Sequence, residues 1–151
     1  MPPPVPGLEK FPTSPSLCFL IEHRSGRKLV WDLGIRKDYN NYGPKIGDYL
    51  PKTKHDIEVE RNLVDILKDH GIKGSDVEAV IWRSVLTPSP RVLSNWAPSH
   101  WHWDHIGDPS TFPKTTDLVV GPKSKDAMLP GAPSNPDSPI LESNYKYVSE
   151  S

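Results

Sequence analysis

The stretch Ser99-His100-Trp101-His102-Trp103-Asp104-His105-Ile106-Gly107-Asp108 concentrates three imidazoles and one carboxylate within six residues. An ordinary solvated loop has no reason to carry so many metal donors. Imidazole nitrogen and carboxylate oxygen are both good zinc ligands, and the order His-x-His-x-Asp-His lets one short loop feed two ions. In an extended segment alternate side chains share a face, so His100 and His102 are expected to point at one ion together. Asp104 and His105 are adjacent, so they are expected to diverge and to serve a second ion beside the first.

This pattern resembles the signature of the metallo-beta-lactamase fold superfamily of metal-dependent hydrolases, and all four ligand positions match. Trp31-Asp32-Leu33-Gly34 is similar to the Asp-x-Gly turn after an early strand of that superfamily, and Val80-Ile81-Trp82 to the strand leading toward its metal loop. The runs Gly107 to Pro113 and Asp117 to Pro122 look like a fungal-type branch that includes lactone and lactam hydrolases. The fold implied is α/β, the N-terminal part of a four-layer αβ/βα sandwich with its C-terminal half missing. The metal ligands implied are His100, His102, Asp104 and His105, holding two zinc ions in the complete domain. Asp104 is also implied as catalytic, orienting the nucleophile and carrying its proton to the leaving group. Zinc lowers the pKa of bound water toward about 7 and polarises the scissile carbonyl, so the reaction implied is hydrolysis by metal-bound hydroxide. The substrate is expected to be a small molecule, a cyclic ester or amide met in detoxification or secondary metabolism. A thioesterase resembling glyoxalase II is the alternative within the fold, and an inactive truncated remnant is the alternative outside catalysis.

Four ligands are too few for two ions of this class. The resemblance implies two further histidines and a bridging aspartate downstream, yet no histidine follows His105, and nothing matches Asp117, Asp126 or Asp137 to the bridging role. A truncated gene product or fragment is expected, holding metal weakly because affinity follows ligand number and the groups that orient the ligands.

Composition fits one domain with a modest core. Eighteen prolines are over twice the average usage of about 5%, which predicts many turns and extended connections. A net charge of -1 without a basic stripe suggests neither nucleic acid nor an anionic membrane as partner. No apolar run approaches the roughly 18 residues of a membrane span, and Met1 to Gly7 lacks the features of a secretion signal. A cytoplasmic location is the resulting expectation. The sequence leaves the oligomeric state open. The single cysteine, Cys18, excludes an internal disulfide and sits in an apolar context that predicts a buried, inert thiol.

Residues 1–15 read as a proline-rich lead-in and 16–151 as the partial domain. Leu17 to Glu22 and Lys28 to Asp32, joined by Arg24-Ser25-Gly26-Arg27, predict a hairpin. Asp32 is either a turn residue capping local amides or, by the resemblance, a buttress behind the metal loop. From Ile35 to His55 the chain is a long polar loop whose Tyr39, Tyr42 and Tyr49 are expected either at a substrate mouth or in a mere cover. Asp56 is expected to cap a helix carrying Val59, Leu63, Ile66 and Leu67 and ending at Gly71, with His70 at its negative end. His23 and His55 lie alone in polar contexts and are not expected as ligands. Val77, Val80 and Ile81 predict a buried strand, and Leu118 to Gly121 another. Between the first of these and the metal loop stands Arg83 to Pro98, without helical or strand periodicity. Excising it restores the expected strand-to-loop junction, so the simplest reading is an untranslated intervening sequence retained in error. A genuine surface insertion is the alternative. Trp101 and Trp103 either wall the pocket or, as an alternating pattern favours, pack behind it. Met128 to Leu141, rich in proline, reads as a loop bordering the site.

Overall fold

Branched and aromatic residues on either side of a glycine turn build the first two strands. In the computed structural model, which describes residues 14–53, 55–82, 103–120 and 124–145, β1 (Phe19–Glu22) and β2 (Lys28–Trp31) pair antiparallel, Phe19 opposite Trp31 and Glu22 opposite Lys28. The predicted hairpin is therefore present. Two further strands, β3 (Val77–Trp82) and β4 (Asp117–Val120), lie where the apolar runs placed them and add in parallel, giving the order β1-β2-β3-β4. Parallel neighbours need crossover connections, and three of the four helices described below travel in them. The chain is thus a mixed α/β structure on a four-stranded sheet. The lead-in through residue 13, the Arg83 to Pro98 segment, His100, Trp101 and His102 lie outside the described residues.

Strand side chains alternate between the two faces. Leu20, Val30, Val80 and Leu118 stand in register on one face, where Val30 and Val80 are fully buried. The core on that side is completed by Leu67, Tyr42, Ile106 and Phe112, among others. Phe19, Trp31, Ile81 and Val119 form the row on the opposite face, where Phe19 is 54% and Val119 42% exposed. The first face is therefore covered at its centre, with Leu20 at its edge 38% exposed, while on the other face Phe19, Trp31 and Val119 reach solvent.

Four short helices among the described residues accompany the sheet: α1 (Pro44–Gly47), α2 (Leu63–Asp69), α3 (Trp103–Ile106) and α4 (Ser124–Met128). The expected start of the helix at Asp56 is wrong. Helix α2 begins after Asn62, whose side chain accepts the Lys37 backbone N–H at 2.9 Å instead of capping its own helix. The reason is visible in residues 56–60, where Ile57 and Val59 alternate with Asp56, Glu58 and Glu60, a spacing of two that lays Ile57 against the core without helical turns. The helix does stop ahead of Gly71, and His70 closes it with Nδ1–H donated to the Ile66 carbonyl at 2.8 Å. Among the described residues no helix is long and apolar enough to cross a membrane.

The 35–55 region is less irregular than its composition suggests. It contains α1 and two short 3-10 turns, Tyr39–Asn41 and Leu50–Lys52. Tyr42 does not stand at an open mouth, since it is only 6% exposed and packs in the core. The expected border loop, Met128 to Leu141, is also drawn in, with Ser138, Pro139 and Ile140 buried.

Candidate metal centre

The turn after β2 and the short helix α3 meet at the end of the sheet. Asp32 follows Trp31 directly, and its backbone N–H is still bonded to the Ile81 carbonyl of β3 at 3.0 Å. Its carboxylate therefore stands at a point set by strand register. Opposite lies His105, whose Nδ1 is 2.9 Å from Asp32 Oδ2. An ionised carboxylate can only accept, so Nδ1–H donates and Nε2 is left as the basic nitrogen of the ring. Asp32 is 3% exposed and holds φ at +60°, a conformation that non-glycine residues adopt at a cost of about 1–3 kcal/mol. Of the two sequence readings of this residue, the structure supports the buttress.

Nε2 of His105 faces Oδ2 of Asp104 at 3.6 Å. The expectation that these neighbours diverge is thus corrected. It assumed an extended segment, whereas residues 103–106 form one helical turn that folds the two side chains toward a common point. Asp104 remains the more exposed of the pair, with 39% of its side chain accessible against 26% for His105.

The backbone of this turn is gripped from four directions. Tyr42 donates its hydroxyl to the Trp103 carbonyl at 2.8 Å, and Ser16 donates its own to the Asp104 carbonyl at 2.5 Å. The Leu33 N–H donates to the His105 carbonyl at 3.0 Å, and the Gly107 N–H to the Gly34 carbonyl at 2.9 Å. Carbonyls at the end of a helix lack intrahelical donors, and Tyr42, Ser16 and Leu33 supply them. These three residues carry no sequence signal for the role, since each acts on a segment far away along the chain, 61 residues in the case of Tyr42 and 88 in that of Ser16.

Trp103 is half-buried and packs against the core rather than standing apart from it, with the His55 ring 6.0 Å from its own. His23 bonds the Ser25 hydroxyl in the hairpin turn and is exposed. Among the described residues no group of three or more histidine, cysteine, aspartate or glutamate side chains converges on one point; His100 and His102 lie outside them.

Cys18 lies close by. Burial pushes its thiol up to about 11, and the charge on Asp32 adds to the shift. Because the thiolate is the reactive form, alkylation of Cys18 at pH 8 is expected to run on the order of 100-fold slower than that of an exposed cysteine. Stopped iodoacetamide labelling read by mass spectrometry measures this, and labelling at the rate of a free thiol would contradict the burial argument.

No protein-family model and no solved structure matches the chain. Curated sequences do. A protein of Annulohypoxylon moriforme named metallo-hydrolase mfmC is 38% identical over 147 residues, covering 95% of this chain and 34% of that protein. The gamma-lactamase FDB1 of Fusarium pseudograminearum is 36% identical over 136 residues, covering 87% of this chain and 29% of its own length. This chain is a homologue of fungal metallo-hydrolases and gamma-lactamases. The resemblance to metallo-beta-lactamase fold hydrolases read from the motif and its flanks is borne out. A Penicillium roqueforti protein named cytochrome P450 monooxygenase mpaDE is also 41% identical, over 148 residues that make up 15% of its length. The homologue described here thus spans 15% to 34% of the length of these curated relatives.

Proposed function

We propose that this chain carries the metal-binding turn of a metal-dependent hydrolase that opens a cyclic amide or ester. The observation that carries the reading is the Asp32–His105–Asp104 relay. A buried carboxylate fixes one imidazole nitrogen so that the other, together with a neighbouring carboxylate oxygen 3.6 Å away, addresses the same space. Carboxylate-oriented histidine is the usual arrangement behind a bound divalent ion, so the donors present fit one. His105 Nε2 and Asp104 Oδ2 would hold it beside a first ion held by His100 and His102, which enter on sequence alone, and zinc is the ion that this imidazole-rich set favours. Such an ion supplies Lewis acidity toward a carbonyl and acidifies water. Asp104, the more exposed partner, also orients the attacking water and passes its proton to the departing nitrogen or oxygen. His105 keeps its orientation throughout because Asp32 holds Nδ1. The name gamma-lactamase among the relatives supports a cyclic amide over other acyl compounds. The substrate is read as a small molecule, and the four-layer sandwich as the complete architecture.

Zinc binding and turnover test this together. The chain should take up zinc, measured by competition with a chromogenic chelator, and His105→Ala and Asp104→Ala should each weaken uptake by at least about tenfold, as loss of a ligand does. Assay against a gamma-lactam, a gamma-lactone and a thioester then ranks the substrate classes. A chain that binds no zinc, or whose zinc is indifferent to both substitutions, removes the proposal. Preference for the thioester moves it to the glyoxalase II-like alternative.

A further inference from the structure

Arg36 is buried to within 3% of its side-chain surface, an unusual position for a guanidinium so close in sequence to Asp32. Its Nε and one terminal nitrogen fork onto Asp38 at 2.7 and 2.9 Å. The same terminal nitrogen reaches Asp108 Oδ2 at 2.8 Å. Burial opposes the charge on Arg36, yet the hydrogen bonds it donates to Asp38 and the charges of Asp108 and Asp38 outweigh it and hold the group protonated. Asp108 is itself saturated. Its Oδ1 accepts from the backbone and hydroxyl of Ser110 and from Asn144 Nδ2, at 3.0, 2.6 and 3.1 Å. Asp108 follows Gly107 and so marks the far end of the turn that carries Asp104 and His105.

The near end is tied to the same residue. Tyr42, whose hydroxyl donates to the Trp103 carbonyl, accepts the Arg36 backbone N–H at 3.2 Å on the same oxygen. The Arg36 guanidinium stands 5.6 Å from the centre of the Tyr42 ring. One residue therefore grips both ends of the 103–108 segment, through Tyr42 at Trp103 and directly at Asp108. A buried ion pair is weak evidence of stabilisation, since desolvation consumes much of its attraction, but it fixes geometry well because a misplaced partner leaves a buried charge unmatched. The geometry points to Arg36 and Tyr42 as positioning residues that together clamp the metal-side turn and set where Asp104 and His105 stand. As a statement about metal this rests on the function proposed above, whereas as a statement about the turn it stands independently.

The test uses Tyr42→Phe, which keeps the ring and removes one oxygen, and Arg36→Lys, which keeps the charge and removes the fork. Amide hydrogen exchange in the metal-free chain is read at Leu33 and Gly107, whose N–H groups bond the His105 and Gly34 carbonyls. Each variant should speed exchange at those two amides about tenfold while Val30 and Val80 in the sheet centre stay unchanged, and zinc affinity should fall by a similar factor. Exchange at Leu33 and Gly107 equal to that of the unsubstituted chain overturns the clamp. A uniform increase at all four amides overturns it too, since that is the mark of general destabilisation. Should the unsubstituted chain bind no zinc, the functional reading falls and the exchange data alone decide the clamp.

Discussion

Asp32→Asn is expected to weaken zinc binding by about 10- to 100-fold, the usual loss when the group that orients a liganding histidine is removed. The substitution is chosen for its backbone. Asp32 sits at φ +60°, where asparagine is the side-chain-bearing replacement best tolerated, so the turn itself should persist. What changes is the partner of His105 Nδ1. An amide offers either a weaker, uncharged acceptor or, after rotation, a donor that forces the proton onto Nε2 and closes that nitrogen to a cation. Chelator competition on the two proteins measures the effect, and agreement within twofold would show that the carboxylate does not direct the imidazole. Asp32→Ala supplies the contrast. It should lose affinity similarly but should also melt lower, because alanine at positive φ costs about 1–2 kcal/mol.

The second large effect is on stability. Gly107 closes the turn that carries Asp104 and His105 at φ +47°, and a Cβ there would lie 2.4 Å from Leu33 Cβ and 2.8 Å from the Leu33 carbonyl oxygen. Neither neighbour is the loose end of a flexible side chain. Gly107→Ala should therefore combine about 1–2 kcal/mol of backbone strain with about 1–3 kcal/mol of overpacking, a total of about 2–5 kcal/mol. At about 2–4 °C per kcal/mol for a chain of this size, the midpoint of thermal unfolding falls by roughly 4–20 °C. Gly26→Ala isolates the backbone part, since Gly26 has φ +87° and a Cβ there would meet nothing within 4 Å. If the two substitutions cost the same, the close approach of Leu33 and Gly107 has no energetic weight.

Much of the local structure was legible in the residues. The hairpin followed from apolar runs flanking Gly26, and β3 and β4 from short β-branched stretches, because strand formation there depends on patterns a few residues long. The end of α2 at Gly71 followed from the same local logic. Its start did not, since Asp56 is a competent cap in isolation and only the docking of Ile57 on the core excludes it. Tyr42 could not be placed from sequence for a related reason. A tyrosine among glycines and prolines in a polar loop reads as exposed, and nothing nearby in sequence announces that its hydroxyl has a carbonyl partner 61 residues away.

By itself the sequence determined the donor types, their spacing in His100, His102, Asp104 and His105, and the family kinship they signal, because ligand chemistry is a property of side chains and needs no fold to be read. Only the tertiary structure decided that Asp104 and His105 converge, that Asp32 lies behind His105 and that Arg36 is buried between Asp38 and Asp108. These are contacts between segments up to 73 residues apart, and their geometry is fixed by the parallel register of β2 on β3, which brings the turn after one strand to the turn beyond the next.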